Sequence, residues 1–349
     1  MGNRRRHCRG CCGCRCSVQA LSLMDKARIT EVPAINQAAA PRIPIRSISL
    51  VIIVTVLLYA GLATLADWKS FGAAITALPG ALWVQVVSLS ILSYLLRFAR
   101  WHYFIRALGH NVPIVRNLEI YLAAFALTVS PGKAGEMIRS VYLQPFGISY
   151  PRSIGAFVSE RLLDLVAVGA LASLAVSMFP EQRPWILAAL ASIVAVFLLL
   201  RSPLLGLIGR RAAKSSVASH AAKIVETIRH LLSGNRLAVS APLSLTAWGT
   251  QGVSLYLIVH ALGYELAAST VIAIYCLSIL AGAASFIPGG LGATEGAIML
   301  LLSAAGVGQT DALTASLVSR SLTLWLAVGI GVVAMTKAAN ASTLADKRR

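Results

Sequence analysis

Long apolar runs separated by short charged segments dominate this sequence and restrict what the chain can fold into. A helix that crosses the hydrocarbon core of a bilayer needs about 20 mostly apolar residues. Charged residues make up only 13% of the chain, against about 25% in soluble domains. This balance excludes a soluble enzyme, a disordered chain and a fibrous repeat, and it predicts an all-α polytopic integral membrane protein. Six predicted full spans cover 47–66, 81–104, 154–179, 185–200, 239–262 and 312–336.

The formal net charge of +18 is concentrated in three segments that flank the apolar runs. Residues 1–46 carry nine Lys and Arg against two acidic residues, residues 201–238 carry seven against one, and the tail 337–349 carries four against one. Cytoplasmic loops of membrane proteins are enriched in Lys and Arg. We therefore expect a cell (inner) membrane protein with both termini and the loop 201–238 in the cytoplasm, and no nucleic-acid partner.

Five of the six cysteines lie between Cys8 and Cys16. Their spacing lacks the two separated ligand pairs of a typical zinc site, so we predict no metal there. Residues 1–46 are interpreted as a disordered, basic extension. The alternative is a start codon assigned too early, with Met24 as the true first residue. Residues 47–336 then form the transmembrane domain, and residues 337–349 form a cytoplasmic tail.

Two further apolar stretches are interrupted by proline and glycine. Residues 118–130 end at Pro131 and Gly132, and a second short run follows at 134–147. Thirteen residues of helix rise only about 20 Å, which is too short to cross a bilayer, so 118–147 is predicted to be a re-entrant helical hairpin. Residues 268–308 repeat the plan, with a break at Pro288, Gly289 and Gly290.

The two interrupted stretches belong to a predicted internal repeat with halves at about 81–179 and 239–336. A glutamate follows each break, and an arginine stands 25 positions later in both halves, as Glu136 with Arg161 and Glu295 with Arg320. An odd number of spans separates the hairpins, so the halves are predicted to be inverted, as in many transporters. The alternative is two unrelated helix kinks in a bundle.

Few charged residues lie inside the apolar segments, and each is costly there unless it is paired or faces a wet cavity. We predict that the broken helices bring these side chains to one pocket at mid-depth. The alternative is an ion-pair cluster that locks helices together. Arg97, Arg100 and Arg106 are instead interpreted as interfacial anchors. The predicted head-group ligands are Lys133, Arg139, Arg161 and Arg320, with Glu136, Glu160, Asp164 and Glu295 for charge balance or coupling.

Motifs of enzymes are not evident. The segment P-G-K-A (131–134) lacks the Ser or Thr that follows Lys in a P-loop, and neither G-x-S-x-G nor H-E-x-x-H occurs. We therefore expect no enzyme activity and no cofactor. In the basic loop, residues 217–232 place apolar residues at helical spacing, which predicts an amphipathic helix lying against anionic lipid.

Four motifs in this order resemble the lysylphosphatidylglycerol synthase transmembrane family, also called flippase-like or UPF0104. They are L-R-F-A-R-W (96–101), S-P-G-K-A-G-E-M-I-R (130–139), S-E-R-L-L-D (159–164) and P-G-G-L-G-A-T-E-G (288–296). The resemblance covers about residues 47–336 and implies lipid handling. It suggests a stand-alone form without the soluble transferase domain of two-part members. Lys133 stands where the family usually has Arg, which keeps the charge but loses bidentate phosphate binding.

Together these features lead us to expect an inner-membrane lipid translocase that binds an anionic or zwitterionic head group between two broken helices. The expected partners are the membrane lipid itself and, as a further possibility, lipid-biosynthesis enzymes. Two alternatives stay open at this point. One is a membrane-embedded transferase acting on a lipid-linked substrate, and the other is a scaffold for a lipid-synthesis complex.

Overall fold

The computed structural model describes residues 68–176, 180–181, 183–202 and 216–346. The predicted extension 1–46 and the predicted span 47–66 lie outside these residues. Within them the fold is helical throughout, and no strand occurs. The helices are α1 (Trp68–Ala77), α2 (Gly80–Ala107), α3 (Ile114–Ala123), α4 (Arg139–Leu143), α5 (Tyr150–Ala172), α6 (Arg183–Arg201), α7 (Ser216–Leu231), α8 (Gly234–Ala261), α9 (Ala268–Ala284), α10 (Ala293–Ala304), α11 (Gln309–Arg320) and α12 (Leu326–Asp346).

Five predicted spans coincide with helices: α2, α5, α6, α8 and the continuous pair α11–α12. Two of these are long and apolar enough to cross a membrane by length and composition alone, Gly80–Ala107 and Gln309–Lys337. A π-helical turn, Ser321–Trp325, joins α11 to α12. Single π turns inside helices are rare and are frequently found at functional sites.

The first predicted hairpin is a broken helix. Helix α3 continues as a 3₁₀ turn, Ala124–Leu127, and the chain then becomes extended at Ser130 before a second 3₁₀ segment, Pro131–Ile138, leads into α4. A residue that precedes proline is pushed out of the α region, which explains why the helix stops here. The Ser130 hydroxyl accepts a hydrogen bond from the Gly135 N–H at 2.6 Å and so stabilises the turn.

The second broken helix consists of α9 and α10. Between them Gly289 and Gly290 both have φ of 65°, and Gly292 has φ of 79°, values that residues with a Cβ rarely adopt. Helix α10 then begins with Glu295 accepting a hydrogen bond from the Gly292 N–H at 2.8 Å. The glycines that interrupt the apolar run are therefore required by the backbone conformation of the break.

Hydrogen bonds join the segments that flank each broken helix. The Tyr264 hydroxyl, just before α9, donates to Asp311 Oδ2 at 2.7 Å, and it accepts from the Gly308 N–H at 3.0 Å after α10. The hydrogen bond to the Asp311 carboxylate raises the pKa of Tyr264 above its usual value. For the first broken helix, Arg152 Nη1 at the start of α5 lies 3.5 Å from His110 Nε2, just before α3.

The two breaks meet inside the molecule. A Cβ placed on Gly289 would lie 3.1 Å from Val129 Cγ1, which belongs to the first break. Val129 also packs with Leu291, Leu324 and Val328, so the two breaks and the start of α12 share one small apolar cluster. Interrupted helices that meet in this way form the centre of the fold.

The predicted halves exchange their helices reciprocally. Helix α2 packs along α8, which is its counterpart in the second half. Helix α5 of the first half packs against α9, and α12 of the second half packs against α3. Equivalent helices of the two predicted halves therefore make matching contacts.

The predicted amphipathic helix is present as α7, but its apolar side does not face lipid. Ile228 and Leu231 are buried in the same apolar core as helices α2 to α5, and Thr227 lies against Gly155 of α5, where a Cβ would come within 2.6 Å of Thr227 Cβ. The predicted lipid contact was therefore wrong, because a small residue on α5 lets α7 dock on protein.

The distribution of apolar and charged side chains differs from that of a typical soluble protein. Many large apolar residues are exposed, while charged residues are buried in the interior. Contiguous exposed apolar surface marks contact with another apolar phase. The exposed apolar residues include Val84, Ile91, Leu92, Leu95, Val194, Val196, Leu198, Leu199, Leu300 and Val333.

Candidate functional site

Arg139 lies at the centre of a buried charged cluster. Its guanidinium donates to Glu160 Oε2 at 2.7 Å and to Glu136 Oε2, and Glu136 also accepts from the Thr128 hydroxyl. The Arg139 guanidinium carbon lies 4.7 Å from the ring centre of Trp101 and 4.4 Å from that of Tyr121. Two carboxylates and two aromatic rings therefore hold this side chain in one orientation.

Arg100 belongs to the same cluster, which corrects its interpretation as an interfacial anchor. Its side chain is 0% exposed and donates to Asp164 Oδ1 at 2.8 Å and to Ser244 Oγ at 2.5 Å. Glu160 Oε1 lies 3.4 Å away. No signal in the sequence distinguishes it, because the four predicted cations and the four predicted carboxylates already balance.

Arg161 is the partly exposed member of the cluster. Its Nη2 lies 3.1 Å from Asp164 Oδ2 and 3.7 Å from Glu136 Oε2, and its side chain is 19% exposed. With Arg100 and Arg139 it makes three arginines for three carboxylates. We call these six residues the first charged cluster: Arg100, Glu136, Arg139, Glu160, Arg161 and Asp164.

The second half contributes an equivalent ion pair. Arg320 Nε donates to Glu295 Oε1 at 2.8 Å, and Arg320 Nη2 donates to the Gly289 carbonyl at 2.8 Å. The pair therefore ties the end of α11 to the break between α9 and α10. It has the same 25-residue spacing as Glu136 and Arg161, so the predicted repeat reappears as two Glu–Arg contacts.

A cavity of about 290 Å³ lies between these two groups of charges. Arg161 and Asp164 of the first charged cluster line it, as does Arg320 of the second pair. The breaks supply Ser130, Gly289 and Gly290, and the π turn supplies Thr323 and Leu324. The side chains that the sequence places in a shared pocket thus meet in part at one cavity.

One side of the cavity wall is apolar and opens to the outside. Phe286 and Ile287 line the cavity and are 81% and 44% exposed, and Leu165 is exposed as well. Phe286 has φ of 54°, a value that costs energy for a residue with a Cβ. Val168, Ile279, Leu280 and Ala283 complete this side.

The predicted site residues separate into two groups. Arg161, Asp164, Arg320, Gly289 and Gly290 line the cavity. Glu136, Arg139, Glu160 and Glu295 are buried and are not among its described lining residues. The backbone of Pro131, Gly132 and Lys133 lies in the 3₁₀ segment, while the side chain of Lys133 lies outside the described part of the structure. Pro288 begins the 3₁₀ turn of the second break.

Arg97 also lines the cavity, although the sequence suggested an interfacial anchor. Its guanidinium carbon lies 4.2 Å from the ring centre of Trp248, whose indole N–H donates to Asp164 Oδ1 at 3.0 Å. The third predicted anchor, Arg106, is exposed. Position within a single apolar run therefore did not distinguish an anchor from a cavity residue.

Among the described residues, no group of three or more His, Cys, Asp and Glu side chains is placed to hold a metal ion. The predicted cysteine-rich segment lies outside these residues. At the cavity, Arg161 and Arg320 are paired with carboxylates while Arg97 stacks on Trp248, and such groups suit recognition of a charged ligand by electrostatics and hydrogen bonding.

Comparisons with known proteins agree on one family. The family described as the lysylphosphatidylglycerol synthase TM region matches residues 47–331. A UPF0104 membrane protein of Methanothermobacter thermautotrophicus is 26% identical over 267 residues, which cover 68% of this chain and 79% of the relative. A UPF0104 membrane protein of Pyrococcus horikoshii is 23% identical over 292 residues, which cover 73% of this chain and 87% of the relative.

Proposed function

Because this chain belongs to the lysylphosphatidylglycerol synthase TM-region family, we propose that it is a lipid translocase of the cell (inner) membrane. The cavity binds the head group of a membrane lipid between the two broken helices. One observation supports this above all: a single cavity has arginines on one side and an exposed apolar opening on the other. That combination matches a molecule with a charged head and apolar chains.

In this proposal Arg161 and Arg320 contact the head group directly, and Lys133 assists them from the tip of the first break. Arg139 does not contact the head group. It contacts Glu136 and Glu160 and so orients the Glu136 carboxylate, which lies 3.7 Å from Arg161. Asp164 and Glu295 hold Arg161 and Arg320 in position. The acyl chains remain in the bilayer and pass through the opening at Phe286 and Ile287.

The proposed topology has six full spans, two re-entrant hairpins in an inverted repeat, and both termini in the cytoplasm. The hydrogen bonds of Tyr264 support it, because they join the segments before and after the second broken helix. The contact between Arg152 and His110 does the same for the first. A hairpin that enters and leaves on one side needs such neighbouring ends.

We propose a carrier rather than an enzyme. The carboxylates of the first charged cluster are already engaged by arginines, with N···O distances of 2.7 Å for Arg139 and Glu160 and 2.8 Å for Arg100 and Asp164. Movement of the lipid is then passive or coupled to an ion. The partner is the lipid itself.

Reconstitution into liposomes tests the proposal. The full chain is placed in vesicles that contain a phospholipid with a fluorescent head-group label, and the accessible label is followed by reduction with dithionite. We expect wild-type protein to accelerate exchange between leaflets. The double substitution Arg320→Gln with Glu295→Gln removes the second ion pair without leaving a charge unpaired, and we expect it to slow exchange by about tenfold or more, as for a lost charge-assisted contact.

Arg116→Gln is the matched control, because Arg116 is exposed and pairs with the exposed Glu119. We expect this variant to exchange lipid at the wild-type rate. Wild-type vesicles that exchange no faster than protein-free vesicles would overturn the proposed function. If the double variant exchanges lipid at the wild-type rate, the cavity is not the site through which the lipid passes.

A further inference from the structure

Among the described residues, the charges around the cavity do not cancel. The first charged cluster is balanced, with three arginines and three carboxylates, and Arg320 is paired with Glu295. Arg97 adds one more positive charge to the cavity wall. Among the described residues that line the cavity, Asp164 is the one acidic side chain, and it already contacts Arg100, Arg161 and Trp248.

Arg97 contacts an aromatic ring rather than a carboxylate. Arg97 belongs to none of the ion pairs among the described residues, and its guanidinium carbon lies 4.2 Å from the ring centre of Trp248. Its Nε is buried and has no hydrogen-bond partner in the described structure. Stacking on Trp248 stabilises the cation while its N–H groups stay available to a ligand.

Other lining residues also present donors without acceptors. Gln251 is only 2% exposed, and its Nε2 has no hydrogen-bond partner within the described residues. Its Oε1 accepts from the Tyr275 hydroxyl at 3.3 Å, which leaves the amide N–H₂ as the free end. Arg161 Nε is likewise buried without a partner in this part of the chain. A buried donor without a partner is costly, so a ligand rich in acceptor oxygens suits this wall.

Resting on the proposed function, we infer that the cavity selects a lipid whose phosphodiester head group carries a net negative charge, and that Arg97 sets this selectivity. The phosphate oxygens accept from Arg97, Gln251 and Arg161, and the single negative charge offsets the extra arginine. A choline head group brings its own positive charge and leaves the surplus in place. A lysylated head group carries a net positive charge. The one described carboxylate of the wall, Asp164, already contacts Arg100, Arg161 and Trp248, so this head group is disfavoured.

Competition for binding tests this inference. The detergent-solubilised full chain is mixed with equal amounts of phosphatidylglycerol, phosphatidylcholine and lysylphosphatidylglycerol, and the bound lipids are counted by native mass spectrometry. We expect phosphatidylglycerol to be preferred over each of the others by about tenfold or more, the effect of one charge-assisted hydrogen bond. Arg97→Gln should bring these preferences close to one.

Two variants separate the charge of Arg97 from other effects of substitution. Arg97→Lys keeps the cation, so we expect it to retain most of the preference for phosphatidylglycerol. Arg106→Gln removes an exposed arginine from the last turn of the same helix and should leave the preference unchanged. Size-exclusion profiles that match wild type establish that each variant is folded.

Each outcome decides a separate question. Equal binding of the three lipids by wild type, or tightest binding of lysylphosphatidylglycerol, overturns the inference, while leaflet exchange in vesicles still decides the proposed function. If Arg97→Gln still prefers phosphatidylglycerol, Arg97 does not set the selectivity. Inorganic phosphate should fail to displace the bound lipid at equal concentration, and displacement would assign the site to a soluble anion.

Discussion

Arg139 shows how one residue organises many others. It is 1% exposed and lies between Glu136, Glu160 and two aromatic rings. Removing one partner of a buried ion pair leaves an uncompensated charge in a medium of low polarity, which is far more costly than losing an exposed pair. The side chain therefore supports the fold of the site as well as its charge.

We predict that Arg139→Ala lowers the free energy of unfolding by about 3–5 kcal/mol, because Glu136 and Glu160 both lose a partner. Unfolding in mixed micelles of mild detergent and sodium dodecyl sulfate, followed by far-UV circular dichroism, measures this change. Arg116→Ala is the control, since the exposed pair of Arg116 with Glu119 is worth about 0–1 kcal/mol. Equal effects of the two substitutions would show that the first charged cluster is open to water.

Sequence reasoning at the scale of residues singled out several of the buried charges but missed Arg97 and Arg100 and did not predict which side chains contact one another. Glu160, Arg161 and Asp164 stand out because charges inside an apolar run are rare. Arg97 and Arg100 have the same surroundings in sequence, yet both are turned toward the interior and contact Trp248 and Asp164. The partners lie on α5 and α8, and contacts between distant helices are not encoded in the local pattern.

At the scale of elements, breaks in helices were easier to predict than contacts between helices. Pro131 and the glycines at 289 and 290 interrupt the apolar runs through backbone geometry alone, which depends on local sequence. Helix α7 has a correctly predicted apolar side, but this side packs on α5 instead of lipid. Amphipathic periodicity does not tell a membrane surface from a neighbouring helix.

The contact between α5 and α7 depends on Gly155, so we predict that Gly155→Leu detaches α7. A side chain there would overlap Thr227 and Ile224. Limited proteolysis of the purified chain should then cut the segment 201–238 several times faster than in wild type, because local stability limits cleavage.

Gly249→Leu is the matched control for this substitution. Gly249 lies within α8 and has open space where a Cβ would stand, so its variant should be cut at the wild-type rate. Identical proteolysis of Gly155→Leu and wild type would contradict the docking of α7 on α5.

At the scale of the whole molecule, one cavity collects charges from distant parts of the chain, as the predicted repeat would require. The two breaks meet at Val129 and Gly289, and each half contributes one Glu–Arg contact beside them. Equal spacing in the sequence predicted this equivalence. The helix exchange that places α5 on α9 and α12 on α3 could not be predicted, since it follows from three-dimensional packing.

A phospholipid that carries a photoreactive diazirine on its head group tests the central claim most directly. The full chain is illuminated in liposomes that contain this lipid, and the labelled peptides are identified by mass spectrometry. We predict labelling of buried cavity residues in three different helical segments, at Gln251, Tyr275 and Thr323. Labelling confined to exposed loops such as 263–267, with none at these three residues, would contradict a head-group site between the broken helices.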